Sequence, residues 1–527
     1  MAISFNQIGS FKGPSGGANV LNNPTSLQFG PDGRLYVSEQ NGMINAFTIV
    51  LDGGEYVATA VEEIDLVKQI QNHNDDGSPS GQVNRQVTGV LTAGTASNPI
   101  LYVSSSDPRI AQNGEENLDT NSGVITRLTL QNDGSWEAVD IIRGLPRSEE
   151  NHATNGMVLS ADGTKIYVTQ GGNTNNGAPS GFFSYAGEYA LTGAILEVDL
   201  TDLNNRPILT DPVGGQGGTP RKYIYDLPTL DDISVANDGT REDADGLDVA
   251  GPWGGNDGLN MTVLPADAPL SIYADGLRNP YDIVLPQAGK LYTVDNGSTG
   301  GLGGNPVVQN GEVTNEPNNG GSGDPEPLFL IEEGGYYGHP NPARANQDLA
   351  WTAYDDNGNP DSAISPNTVP DLSAQVPDGV NIQDGFLIDP SKFTGDPVRL
   401  EQSGVRIERD SPQSNALVTI GSSSNGLVEY TSDAFDGELQ GDLLVAQFNN
   451  TVSRLNLSED GTSATYETID GLSGFSTPLD VTVGPDGTVW VAEIGGDFIK
   501  VFAPSDLVLP DDTDYETDGI DNIDDPF

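Results

Sequence analysis

The chain has 527 residues, with 77 Asp and Glu against 22 Lys and Arg, and a formal net charge of −55 with its three His neutral. Phosphate recognition needs clustered Lys and Arg, so this balance excludes a nucleic-acid partner and disfavours an anionic membrane surface; it fits a halophilic, marine or extracellular setting in which a carboxylate-rich surface stays hydrated. The absence of Cys excludes disulfides, thiolate zinc sites and a thiol nucleophile, and no apolar run is long enough to span a membrane.

The N-terminal stretch MAISFNQIGSFKG lacks the basic start and apolar core of a signal peptide. An extracellular or cell-surface protein would then be exported without a recognisable N-terminal signal. The 66 Gly and 35 Pro speak for many turns, and an all-β fold is expected.

One phrase recurs along the chain. It reads NPTSLQFGPDGRLYVSE from Asn23, TGVLTAGTASNPILYVSSSD from Thr88, TNGMVLSADGTKIYVT from Thr154, RNPYDIVLPQAGKLYTVDNG from Arg278, NGLVEYTSDAFDGELQGDLLVAQ from Asn425 and STPLDVTVGPDGTVWVAE from Ser476. Each copy joins two alternating runs through a turn, in several copies built on Asp-Gly, which is the pattern of a β-hairpin. Hairpins cannot bury both faces alone, and six copies predict a six-bladed β-propeller. The segment from Ile3 to Phe11 should close the ring against Phe498 to Phe502. Two long insertions, about 204–260 and 298–409, are expected as loops on one face of a propeller spanning 1–509. The acidic tail 510–527 is expected to lie outside it.

Candidate chemistry gathers where chain enters the predicted innermost strands. His152 precedes the third copy and is the side chain suited to take a proton near neutral pH. Arg278 opens the fourth copy at the same structural point. Asp295, Gly297 and Ser298 follow its second strand and offer the hard oxygen donors that calcium prefers. The run from Glu332 to Asn341, with His339, is aromatic and Gly-rich. In the tail, Asp514, Glu516 and Asp518 stand at alternate positions before Gly519, approaching an EF-hand loop.

Together, NPTSLQFGPDGRLYVSE, LPRSEENHATNGMVLSADGTKIYVT, GLRNPYDIVLPQAGKLYTVDNG and EEGGYYGHPNP resemble the soluble PQQ-dependent sugar dehydrogenases, the glucose/sorbosone dehydrogenase family of six-bladed propellers. The resemblance implies a calcium- and PQQ-dependent aldose dehydrogenase acting on a sugar. It gives His152 the role of base and places Arg278, Asn279 and, more loosely, Gln86 against cofactor and substrate. Calcium would be held by the carbonyls of Gly297 and Ser298. It also implies departures: three family cations fall on Asn449, Thr477 and Leu479, and cofactor-covering aromatics fall on Ser414 and Leu417. These losses keep two alternatives open. One is a non-catalytic, calcium-stabilised extracellular surface, matrix or assembly protein with a cell-surface or self-assembly partner; the other is a calcium-dependent lactonase-type hydrolase.

Overall fold

The computed structural model describes residues 3–11, 21–74, 77–111, 118–177, 191–227, 267–304, 323–339, 415–421 and 423–507, with shorter pieces between them. The Asp-Gly turns shape its hairpins. Gly33 adopts φ 77°, a conformation open to glycine, while Asp32 caps the following N–H of Arg34. Asp162 and Asp486 likewise accept from both the N–H and the hydroxyl of Thr164 and Thr488.

Six sheets, each with four antiparallel blade strands, form around one axis. Blade 1 runs Pro24–Phe29, Leu35–Glu39, Ile44–Asp52 and Glu55–Ile64 from the inside out. The innermost strands of blades 2 to 6 are Gln86–Thr95, Thr154–Leu159, Pro280–Val284, Ser424–Glu429 and Pro478–Val483. Each adjoins the next, and the sixth adjoins the first. The N-terminal strand Phe5–Ser10 completes blade 6 by pairing with Phe498–Pro504, with Phe5 opposite Pro504 and Gln7 opposite Phe502. The predicted six-bladed β-propeller and its closure are what the structure shows.

The core is a set of apolar layers between successive blades. Tyr36 and Ile44 meet Val87 and Leu101, for example, and Tyr292 and Leu328 meet Leu427 and Leu443. Both faces of each sheet are buried in this way, so even polar positions of the inner strands such as Thr25, Thr88 and Asp480 lie inside the protein.

Residues 209–226, inside the first expected insertion, are ordered as a hairpin, Leu209–Gly215 with Thr219–Asp226. It adds to the outer edge of blade 2, where Tyr223 and Tyr225 pair in parallel with Asp140 and Ile142. Buried ion pairs clamp it. Arg143 reaches Asp211 and Asp226 at 2.8 and 2.9 Å, and Arg221 makes a forked contact with Asp140 at 2.6 and 2.7 Å.

Candidate functional site

Every innermost strand carries a register shift close to its start: after Pro24, Val87, Thr154, Pro280, Ser424 and Pro478. A bulge re-aims a side chain that regular pleating would bury. The residues at these shifts, Thr25, Thr88, Asn155, Tyr281, Asn425 and Leu479, all line one cavity of about 510 Å³ at the channel mouth. Close packing behind the ring depends on glycine. A Cβ on Gly156 would stand 2.2 Å from Asp282 Oδ1, and one on Gly426 would stand 2.3 Å from Asp480 Oδ1.

The structure brings His152, Arg278, Asn279, Gln86 and Gly297 to this same cavity. His152 is buried, and its Nδ1 lies 2.8 Å from the carbonyl of Gly172. That carbonyl can only accept, so the neutral ring carries its proton on Nδ1 and leaves a lone pair on Nε2. Burial, followed by the positive charge of Arg278, holds the imidazole pKa well below its ordinary value. The ring is neutral at physiological pH and able to accept a proton.

Arg278 Nη2 donates to Asn175 Oδ1 at 2.9 Å, its Nε to the Asn175 carbonyl at 3.2 Å, and its Nη1 to the Asn296 carbonyl at 3.3 Å. Gln86 accepts from the buried Arg147 at 3.2 Å, which turns its amide NH2 away from that cation. Asn279 Oδ1 accepts from Asn155 Nδ2 at 3.2 Å.

Asp295 is not among the cavity-lining residues. Its buried carboxylate accepts the backbone N–H groups of Arg278 at 2.9 Å and Asn279 at 2.7 Å. Glu39 and Glu493 do the same at equivalent points, accepting from Asn22 and Ser476 at 3.0 Å. Asp295 thus belongs to a repeated device that pins the chain entering an inner strand. Ser298 is buried too, its hydroxyl bonded to Asp324 and its carbonyl accepting the Asp324 N–H at 2.9 Å. Asp514, Glu516 and Asp518 lie outside the described residues, as does Ser414. Leu417 is on the edge of blade 4, bonded through its N–H to Leu328.

Two carboxylates on the cavity wall escaped the sequence reading. Glu150 Oε2 lies 3.9 Å from His152 Nε2, and Glu326 Oε2 accepts the N–H of Gly297 at 2.9 Å. Burial pushes Glu326 up to about 7. Nothing in PEPLFL marks Glu326 as a site residue, whereas the ring of bulged residues had a signal. Each follows the Pro, Thr, Ser or Val that precedes the register shift.

These residues can be weighed against the two groups that the sequence resemblance implies. PQQ is a tricarboxylate, and Arg278 is the one Lys or Arg among the described residues lining the cavity, facing Glu150 and Glu326. Thr477 and Leu479 line the wall where cations would be needed, and the exposed Asn449 bonds to Thr451 in a turn. The site does not fit PQQ. For calcium the donors suit better: the Gly297 and Ser298 carbonyls are hard ligands, and a cation beside Glu326 would relieve its buried charge. Among the described residues no group of three or more His, Asp or Glu is arranged to hold a metal.

No protein-family model and no curated protein matches the chain. Among solved structures it is similar to an oxidoreductase described as a glucose dehydrogenase from Thermus thermophilus, at 18% identity and TM-score 0.44, over 95% of this chain and 100% of that one. It is also similar to a PQQ-bound aldose sugar dehydrogenase from Streptomyces coelicolor, at 13% identity and TM-score 0.46, over 95% and 98%. The apo-form aldose sugar dehydrogenase of Escherichia coli is 12% identical, with a TM-score of 0.44 over 95% and 99%.

Proposed function

We propose that the channel mouth binds a neutral aldose and that His152 accepts the proton of one of its hydroxyls, the proton-accepting half of an aldose dehydrogenase whose hydride would have to pass to an added acceptor less anionic than PQQ. The observation that carries this reading is the neutral imidazole with Nδ1 on the Gly172 carbonyl, in one cavity with Arg278 and a wall of hydroxyl and amide groups. Thr25, Thr88, Asn155 and Asn425 offer the neutral donors and acceptors that a polyol pairs with.

The proton step follows from these groups. Nε2 takes the hydroxyl proton, the Gly172 carbonyl keeps its hydrogen bond to the imidazolium, and Glu150 beside Nε2 favours the new positive charge. Arg278 offsets negative charge developing on the sugar oxygen. Calcium held by Gly297 and Ser298 would add Lewis acidity and screen the acidic wall.

The charge mismatch with PQQ favours a second reading, a non-catalytic, calcium-stabilised propeller that binds carbohydrate at a cell surface or in a matrix. Its carboxylate-rich surface suits an extracellular setting, and no described helix is long and apolar enough to cross a membrane. A lactonase-type hydrolase would need several Asp, Asn or Glu side chains converging in the channel; Glu150, Glu326, Asn155, Asn279 and Asn425 do line the cavity, but no group of three or more His, Asp or Glu among the described residues is arranged to hold its metal.

Calorimetric titration with simple aldoses should give a binding isotherm that Arg278→Ala weakens about tenfold, the size of one charge-assisted hydrogen bond. Absence of binding by every common aldose overturns the carbohydrate reading. Dye reduction by the calcium-loaded protein supplied with an acceptor less anionic than PQQ would establish the dehydrogenase; sugar binding without it leaves the binding propeller.

A further inference from the structure

The chain segment after the second strand of blade 3, Gly171 to Asn175, touches both functional side chains. The Gly171 N–H donates to the Ala153 carbonyl at 2.8 Å, next to His152, and the Gly172 N–H donates to the Arg278 carbonyl at 2.7 Å. The Gly172 carbonyl meets His152 Nδ1. Three residues on, Asn175 receives the Arg278 guanidinium on both its side-chain and its backbone oxygen. Asn175 is itself fully buried. Its Oδ1 also accepts the Thr299 N–H at 2.9 Å, and its Nδ2 donates to the carbonyls of Thr299 and Gly303, both at 2.9 Å.

The segment has a firm anchor. Glu188, fully buried, accepts the Asn173 N–H at 3.0 Å and the hydroxyls of Thr174 and Thr192 at 2.5 Å, and lies 3.0 Å from His339 Nε2. Side chains at positions 171 and 172 would collide with this arrangement. A Cβ on Gly171 would stand 2.7 Å from His152 Cβ, and one on Gly172 would stand 2.9 Å from the Glu188 carboxylate. Both glycines are needed for the close approach.

We propose that Asn175 is a positioning residue of this site, holding the Arg278 guanidinium on the cavity wall, and that the segment carrying it joins Arg278 and His152 into one unit anchored on Glu188. Asn175 does not line the cavity, so it acts through Arg278 and not on a ligand. Its two bonds go to two different nitrogens of the guanidinium, a planar fork that the single nitrogen of a lysine does not reproduce.

His152 itself reports on the arrangement. The charged and titratable groups around it are Arg278, Arg147, His339 and Glu150. With three His in the chain, its imidazole signal is assigned by its loss in His152→Gln. If Asn175 holds Arg278 in place, Asn175→Ala lets the guanidinium recede, and the protonation constant of His152 rises about threefold to tenfold. In an Arg278→Ala background the same substitution should change nothing further. An equal rise in both backgrounds, or none in the native one, overturns the proposal. Should Asn175→Ala fail to fold, Arg278→Lys provides the second test. It keeps the charge but loses the fork, so His152 should shift part of the way towards the Arg278→Ala value; an unshifted His152 overturns the proposal as well.

A carbohydrate titration adds an arm that rests on the reading above: Asn175→Ala and Arg278→Ala should each weaken aldose binding about tenfold, and the double variant no more than either. If no aldose binds while the imidazole responses appear as expected, the carbohydrate reading fails and the positioning role stands.

Discussion

At the outer edge of blade 2, cations are enclosed with their partners; at the channel mouth, a cation faces a surplus of acids. Arg85, Arg143, Arg147 and Arg221 all lie buried in or beside blade 2, a large share of buried charge for a chain with 22 Lys and Arg. Arg143 and Arg221 meet three aspartates there and fasten the extra hairpin. In the cavity, Arg278 shares the wall with Glu150 and Glu326, and Thr477 and Leu479 stand where an anion-binding site would carry further bases. A strongly acidic composition therefore does not dilute basic residues evenly. Arg143 and Arg221 meet buried carboxylates, while Arg85 and Arg147 donate to amide and carbonyl oxygens.

Breaking the paired side should have the largest effect. Arg143→Met leaves Asp211 and Asp226 without their cation and should cost about 3–5 kcal/mol in urea unfolding. Adding Asp211→Asn and Asp226→Asn should recover most of that loss. If the single variant unfolds at the wild-type urea concentration, the hairpin is not held by these pairs.

Changing the depleted side should have the next largest effect. Thr477→Arg with Leu479→Arg adds positive charge to the wall and should raise PQQ affinity about tenfold or more, followed by absorbance during titration. Thr477 has φ 56°, where β-branched residues are uncommon, so arginine should not add backbone strain. Unchanged affinity would mean that the cavity excludes the quinone by shape and not by charge.

The smallest effect concerns two acids that have no cation beside them among the described residues. Asp282, half-buried on the inner strand of blade 4, and Asp480, buried on that of blade 6, accept the N–H groups of Leu427 and Leu27 in the neighbouring blades. Burial pushes Asp480 up to about 6, and burial together with the Asp480 charge pushes Asp282 well above the usual carboxylate range. The folded protein then binds these protons more tightly than the unfolded chain, whose carboxylates titrate near 3.9. Their contribution to stability is complete below about pH 4 and is lost as pH rises through about 6. Asp480→Asn should flatten the fall in melting temperature across that window. An unaltered pH profile would show that this pair is not its source.

The blades were legible because Asp-Gly turns and alternating runs act locally, and the copies from Asn23, Thr154 and Ser476 each mark an inner hairpin. The hairpin at 209–226 was hidden because it is held by contacts with Asp140 and Ile142, far away in sequence. The same division applies to the site. His152, Arg278 and Asn279 stand at repeat boundaries, so position in the phrase revealed them. Glu326 and Asn175 sit outside the repeated phrase and gain their surroundings from chain that is distant in sequence: Gly297 for one, Thr299 and Gly303 for the other. Asp295 had the chemistry of a ligand, yet its backbone partners could be recognised only by comparing it with Glu39 and Glu493 in place.

The pairing of Phe5–Ser10 with Phe498–Pro504 also sets a timetable for biosynthesis. At translation rates of about 5–20 residues per second, the first strand waits about 25–100 s before its partner exists. Until then that strand has no partner, and the outer edge of blade 6 cannot be completed. The composition of that strand suits the wait: FNQIGS places polar or small residues at four of six positions, and Phe5 and Ile8, three residues apart, leave little continuous apolar surface for a neighbouring ribosome's product to adhere to.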